Sequence, residues 1–178
     1  MKMILSGFGG QGMLLAGQLL AYAGMLEGLN VTWLPSYGPE MRGGSANCSV
    51  ILSENTVGSP TISTPDVVVA MNQPSFDSFI SKVKPGGMMI YNKTLITTVV
   101  PRDDIKMIPI EATQIASDLN NLRVANMVSL GAVIKHTNIV KPESVLEALA
   151  IKFGEDKKHL LQINEQAISK GAESANCA

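Results

Sequence analysis

The stretch LSGFGGQGMLLAG, from Leu5 to Gly17, sets Gly7, Gly9, Gly10 and Gly12 between an apolar start and a long apolar continuation. Gly7, Gly9 and Gly12 match GxGxxG, the pattern by which a strand turns into a helix whose first amides receive a dinucleotide pyrophosphate. The flanks agree with that geometry. KMIL is a short apolar run, and Met13 to Leu29 is apolar on nearly every face, which predicts a buried strand followed by a buried helix.

Downstream, NVTWLPS reads as a second strand from its β-branched and aromatic residues, and Pro35 restricts it to an edge or an end. YGPEMRGG, from Tyr37 to Gly44, has no period and carries turn formers at both ends, so it reads as a loop bearing Glu40 and Arg42. SANCSVILS regains strand character and ENTVGSP supplies turn chemistry, a pair suited to a hairpin. DVVVAM is a short continuous apolar run of the kind found in strands covered on both faces. In PSFDSFISKV, Phe76, Phe79, Ile80 and Val83 fall at helical spacing, and KPGG ends the helix. MMIYN and IKMIPI read as two more strands.

Beyond Glu111 the period becomes helical, with four candidates: ATQIASDL, VANMVSLGAVIKH, SVLEALAIKF and KHLLQINEQAISK. Pro142 and Glu143 suit the first turn of the third. Strand–helix alternation followed by helices predicts an α/β fold that is Rossmann-like, with a mainly parallel sheet, helices on both faces and a helical C-terminal part. At 178 residues and 46% apolar composition, residues 1–178 are expected to form one domain.

The composition excludes several classes. A net charge of -1 and a single Trp lack the basic footprint of a nucleic-acid binder. Cys48 and Cys177 form no CxxC pair, so neither a metal or iron–sulfur ligand set nor a disulfide framework is indicated; two inert thiols suit a reducing cytoplasm. No apolar run reaches the ~20 residues of a membrane span.

A dinucleotide site also needs an acid at the end of the second strand, about 20 residues beyond the glycines, to hold the ribose hydroxyls. That strand ends in Leu34, Pro35, Ser36 and Tyr37; Glu27 precedes it and Glu40 lies beyond it. The fingerprint is therefore half present, and a tight turn with close helix–sheet packing accounts for the glycines equally well. A stand-alone NAD(P)-binding dehydrogenase and a nucleotide-binding regulatory module remain as alternatives. His136 and His159 sit beside Lys135 and Lys158 in polar helical contexts, as solvated residues do. No GxSxG, HExxH or Walker lysine pattern occurs, nor a thiamine diphosphate motif, so no catalytic residue is assigned.

Two stretches taken together, GFGGQGMLLAGQLLAYAG and SYGPEMRGGSANCSVILS, closely resemble the gamma subunit of 2-oxoacid:ferredoxin oxidoreductases. DVVVAMNQPSFDSF, VKPGGMMIYN and NMVSLGAV are similar to that family's later segments in the same order, so the resemblance spans most of the chain. It implies a subunit of a thiamine-diphosphate-dependent enzyme that oxidatively decarboxylates a 2-oxoacid to acyl-CoA and passes electrons through iron–sulfur clusters to ferredoxin. Thiamine diphosphate, Mg and the clusters are then carried by partner subunits, this chain alone binds no cofactor and is inactive alone, and its role is architectural or site-completing.

On that implication, the residues expected at a cofactor or partner interface are Gly7, Gly9, Gly10, Gln11 and Gly12 of the turn and Tyr37, Gly38, Glu40, Arg42, Gly43 and Gly44 of the loop. A glycine turn at a helix start presents unpaired amides, Gln11 adds a neutral amide, and Arg42 offers a planar cation suited to the phosphates of coenzyme A. Local or intersubunit pairing of Glu40 with Arg42 is the competing role. Tyr37 and Pro39 brace the loop.

Overall fold

A computed structural model describes residues 1–37 and 45–175. Six strands form one sheet: β1 (Lys2–Phe8), β2 (Asn30–Tyr37), β3 (Ser45–Ser53), β4 (Val67–Ala70), β5 (Met88–Asn92) and β6 (Lys106–Ile110), in the order β2-β3-β1-β4-β5-β6. β1, β4, β5 and β6 run parallel to one another, while β3 is antiparallel to both β1 and β2. The sheet is thus mostly parallel, with an antiparallel flank. Pro35 lies in the edge strand β2, where a missing N–H costs no interior ladder bond.

The hairpin expected from SANCSVILS forms with the preceding strand. Register pairs Asn30 with Ser53 and Tyr37 with Ala46, whereas the turn-rich segment after Ser53 leads to β4, which is not a neighbour of β3. The hydrophobic alternation of β3 sets its register face: Cys48, Val50 and Leu52 point to one side of the sheet, where they are completely buried.

Among the described residues the α-helices are α1 (Met13–Leu26), α2 (Gln73–Phe79), α3 (Ala112–Asp118), α4 (Ala125–Thr137), α5 (Pro142–Phe153) and α6 (Leu161–Ser174), with short 3-10 turns between them. Pro142 and Glu143 occupy the first turn of α5, as their positions in the sequence suggest. The helical layers are unequal. Met3 and Leu5 of β1, Val67 and Val69 of β4 and Ile108 and Ile110 of β6 share a core with α1 and α3–α6. On the opposite face Ile4, Val68, Ala70 and Met89 pack against Phe76 of α2, with Ile80 and Val83 just beyond it. That second core draws no residue from β2 or β3.

α4 is the central helix, buried continuously from Asn126 to Ile134. Its contact with α6 depends on reciprocal glycines: a Cβ on Gly131 would fall on the backbone carbonyl of Ile168, and one on Gly171 on that of Val128. No helix among the described residues is long and apolar enough to cross a membrane.

Candidate functional site

The chain leaves β1 for α1 on one face of the sheet and leaves β4 for α2 on the other. Adjacent parallel strands whose connections diverge in this way open a crevice at their C-terminal ends, where ligands of α/β proteins bind. The glycine turn lies on one side of that crevice and the start of α2 on the other.

Gly12 caps α1 in the left-handed region, φ 73°, and a Cβ there would also sit 2.5 Å from the Asn126 side-chain nitrogen. Glycine alone tolerates both conditions. α1 has no side-chain cap and no acid in its first turn, and Ala16 N–H donates to the Gly12 carbonyl at 3.0 Å, so the preceding amides lie before the helical ladder. Asn126, in the first turn of α4, donates to the Gly12 carbonyl at 3.0 Å. The start of α4 is thereby tied to the start of α1, although its own Ala125 and Met127 N–H groups are engaged by the Leu122 carbonyl and Asn126 Oδ1.

Gln11 folds back over its own turn. Its Oε1 accepts the Phe8 N–H at 2.6 Å and the Asn72 Nδ2–H at 3.2 Å. Gly7 leaves the room for this, since a Cβ there would lie 2.6 Å from the same oxygen. The expected neutral amide contact to a partner is thus limited to the N–H2 end, because the oxygen is engaged within the fold. Gly9 and Gly10 complete the turn, Gly10 at φ 101° with open space where a Cβ would stand.

Beneath the turn runs a network that the sequence reading missed. Ser6 Oγ donates to Ser75 Oγ at 2.9 Å, and Asn72 Oδ1 accepts the Ser75 N–H at 2.9 Å, capping α2. Asn92, fully buried at the end of β5, donates to Thr113 Oγ1 at 2.8 Å and accepts the Thr113 N–H at 3.3 Å. Ser129 Oγ donates to the Ala125 carbonyl at 3.1 Å and contacts Met71 Sδ at 2.9 Å. A signal for Asn72 existed in MNQPS, where Asn precedes a Pro in the first helical turn. Asn92 and Ser129 carried none, because their partners are distant in sequence.

Of the second loop, Tyr37 ends β2, while Gly38, Glu40, Arg42, Gly43 and Gly44 lie outside the described residues. Its described flanks are both at the glycine edge: Ser45 pairs with Phe8, and Tyr37 pairs with Ala46, which pairs in turn with Gly7. β3 consequently occupies the place beside β1 that β2 takes in a dinucleotide fold. The end of β2 stands two strand spacings from β1, roughly 9–10 Å, beyond the ribose position that the fingerprint requires.

The donors at this edge are neutral amides and hydroxyls. They suit phosphate, carboxylate or carbonyl oxygens and offer neither the carboxylates that hold Mg nor the thiolates that hold an iron–sulfur cluster. Among the described residues no three His, Cys, Asp or Glu side chains are grouped for a metal. Cys48 lies under α1, where burial pushes its thiol up to about 12 against a smaller opposing contribution from Trp33; Cys177 lies outside the described residues. His159 is exposed as expected, but His136 is half-buried beside Lys106, 3.2 Å from its Nδ1, and burial followed by the Lys106 charge lowers its pKa.

The family model for pyruvate ferredoxin/flavodoxin oxidoreductase matches residues 2–174. Ketoisovalerate oxidoreductase subunit VorA of Methanothermobacter thermautotrophicus is 39% identical over 96% of this chain, which spans only 35% of that relative's length. The gamma subunit of a keto/oxoacid ferredoxin oxidoreductase from Geobacter sulfurreducens superposes with a TM-score of 0.84 at 30% identity, covering 99% of both chains. A 2-oxoglutarate:ferredoxin oxidoreductase from Magnetococcus marinus, solved with 2-oxoglutarate, coenzyme A and succinyl-CoA bound, superposes with a TM-score of 0.91 at 28% identity, covering all of this chain and 31% of the other. Sequence and fold agree: the chain belongs to the pyruvate ferredoxin/flavodoxin oxidoreductase family.

Proposed function

We propose that this chain is the gamma subunit of a multi-subunit, cytoplasmic 2-oxoacid:ferredoxin oxidoreductase, completing the active site with its glycine edge. The complex decarboxylates a 2-oxoacid, releases CO2, joins the acyl group to coenzyme A and passes an electron pair to ferredoxin. Partner subunits hold thiamine diphosphate, Mg and the iron–sulfur clusters. The observation that carries this reading is the uncapped start of α1 with the Gln11 amide at the sheet's switch point, where the groups around the turn are neutral donors and the acid-free first turn of α1 holds no carboxylate. Such an edge suits an anionic, oxygen-rich molecule, and coenzyme A is bound in the Magnetococcus marinus structure.

In this chain the turn amides of Gly9, Gly10 and Gly12 and the Gln11 N–H2 hold acceptor oxygens, while Arg42 meets a phosphate and Gly43 and Gly44 admit a neighbouring chain. Tyr37, Gly38 and Glu40 belong to the same interface. Coenzyme A supplies the thiol that takes the acyl group; the chain's own residues bind and orient it. Choice of oxoacid rests with the partners: the relatives include a ketoisovalerate and a 2-oxoglutarate enzyme on one shared fold.

Reconstitution tests the reading. With partner chains, oxoacid- and coenzyme A-dependent reduction of ferredoxin is expected, and the isolated chain should be inactive. Turnover by the isolated chain, or its tight binding of NAD or NADP, overturns it.

A further inference from the structure

Two amides at the switch point have orientations dictated by backbone groups that can only donate. The Phe8 N–H faces Gln11 Oε1 at 2.6 Å, so that end is the oxygen. The Ser75 N–H faces Asn72 Oδ1 at 2.9 Å, so the other end of Asn72 is its N–H2, which donates to the same Gln11 oxygen at 3.2 Å. The polarity runs one way, from the start of α2 through Asn72 to Gln11, and it leaves Gln11 presenting donors alone. Asn72 is 3% exposed and reaches across the crevice from β4 to the turn after β1.

We propose that Asn72 is a positioning residue for coenzyme A: by donating to Gln11 Oε1 it holds the Gln11 amide with its N–H2 outward, toward acceptor oxygens of the bound molecule. The inference rests on the proposed gamma-subunit reading. Asn72 touches no reacting atom. Its contribution is to ligand affinity, because a side chain held in its bound orientation loses less freedom when the ligand arrives.

The substitution Asn72→Asp isolates this role. Aspartate is an equally good helix cap, so the bond from Ser75 N–H survives, but its carboxylate cannot donate and repels Gln11 Oε1. Asn72→Ser keeps the cap and withdraws the donor from the reach of Gln11 without adding charge. In the reconstituted complex, Asn72→Asp should raise the KM for coenzyme A by about two- to tenfold, the cost of ordering one side chain on binding. The kcat and the KM for the oxoacid should stay within about twofold, and Asn72→Ser should shift the coenzyme A KM in the same direction by less. Gln11→Glu keeps both acceptor bonds but loses the outward donors, so combining it with Asn72→Ser, which adds no second carboxylate, should add little to the KM; additive effects overturn the coupling. An unchanged coenzyme A KM in both Asn72 variants, or a joint fall in kcat and melting temperature at constant KM, overturns the positioning role alone. A wild-type complex without coenzyme A-dependent oxoacid oxidation overturns the functional reading and the inference together.

Discussion

The two edges of the sheet are built from different chemistry. At the C-terminal edge of the parallel strands, Ser6, Gln11, Asn72, Ser75, Asn92, Thr113 and Asn126 pair amide to hydroxyl to backbone. At the opposite edge the ties are ionic. Asp66 accepts from the Lys2 N–H and pairs with Lys84, Arg102 pairs with Asp104 while donating to the Ile80 and Val83 carbonyls at 2.8 Å, and Glu27 accepts the Lys141 N–H at 2.6 Å. Charges tie the chain to itself at this edge. Neutral donors surround the glycine turn, the part of the opposite edge proposed to meet an anion, where a resident carboxylate would repel it.

The largest disturbance to this contrast should come from Gly12→Ala at the neutral edge. A left-handed alanine that also displaces Asn126 should cost roughly 2–4 kcal/mol, read by denaturant unfolding, and should depress turnover of the complex as well. Next is Asp66→Ala at the charged edge. Losing the partner of Lys84 and of the Lys2 N–H should cost about 1–3 kcal/mol, with kcat and KM of the surviving complex unchanged. Altered coenzyme A kinetics in that variant would erase the functional distinction between the edges.

Acid should separate the edges more gently. Burial opposes ionisation of Asp66 and of Glu27, yet Asp66 is held below the usual range by Lys84 and the Lys2 N–H, and Glu27 by the Lys141 N–H and Ser144. Asp104 is held low by the hydrogen bond from Arg102. Carboxyls depressed in the folded state contribute stability that is complete above their ordinary values of 4.5 for Glu27 and 3.8 for the aspartates. That contribution is lost as pH falls through the lower folded values. Melting temperature should therefore decline below that range, and Asp66→Asn should flatten the decline. The smallest effect is expected from Glu111→Gln. Its pair with Lys93, 3.3 Å apart and half exposed at the β5–β6 end of the neutral edge, is worth roughly 0–1 kcal/mol, and calorimetry should find the variant close to wild type.

Much of the fold was legible locally. The glycine turn, the strand runs, Pro35 at an edge and Pro142 with Glu143 at a helix start all express backbone preferences contained within a few residues. The insertion of β3 between β1 and β2 was not, because strand pairing joins residues tens of positions apart and leaves no period to read. The same distance hid the Asn72–Gln11 bond and the Asn126–Gly12 bond, which cross the switch point, and the burial of His136 beside Lys106. Of the candidate site, the sequence marked the turn and proposed the loop, which beyond Tyr37 lies outside the described residues; the asparagines that hold the turn came from the structure.

Sequence by itself determined where the chain turns and which of its faces are apolar, since φ preferences and hydrophobic spacing act over short spans. It also carried the family resemblance, through the turn and the YGPEMRGG stretch in combination. Only the tertiary structure decided what stands beside β1, which helix starts converge on its end and which end of the Gln11 amide is free. Those outcomes depend on hydrogen-bond donors brought from β4, α2 and α4, whose positions exist only after the sheet has formed.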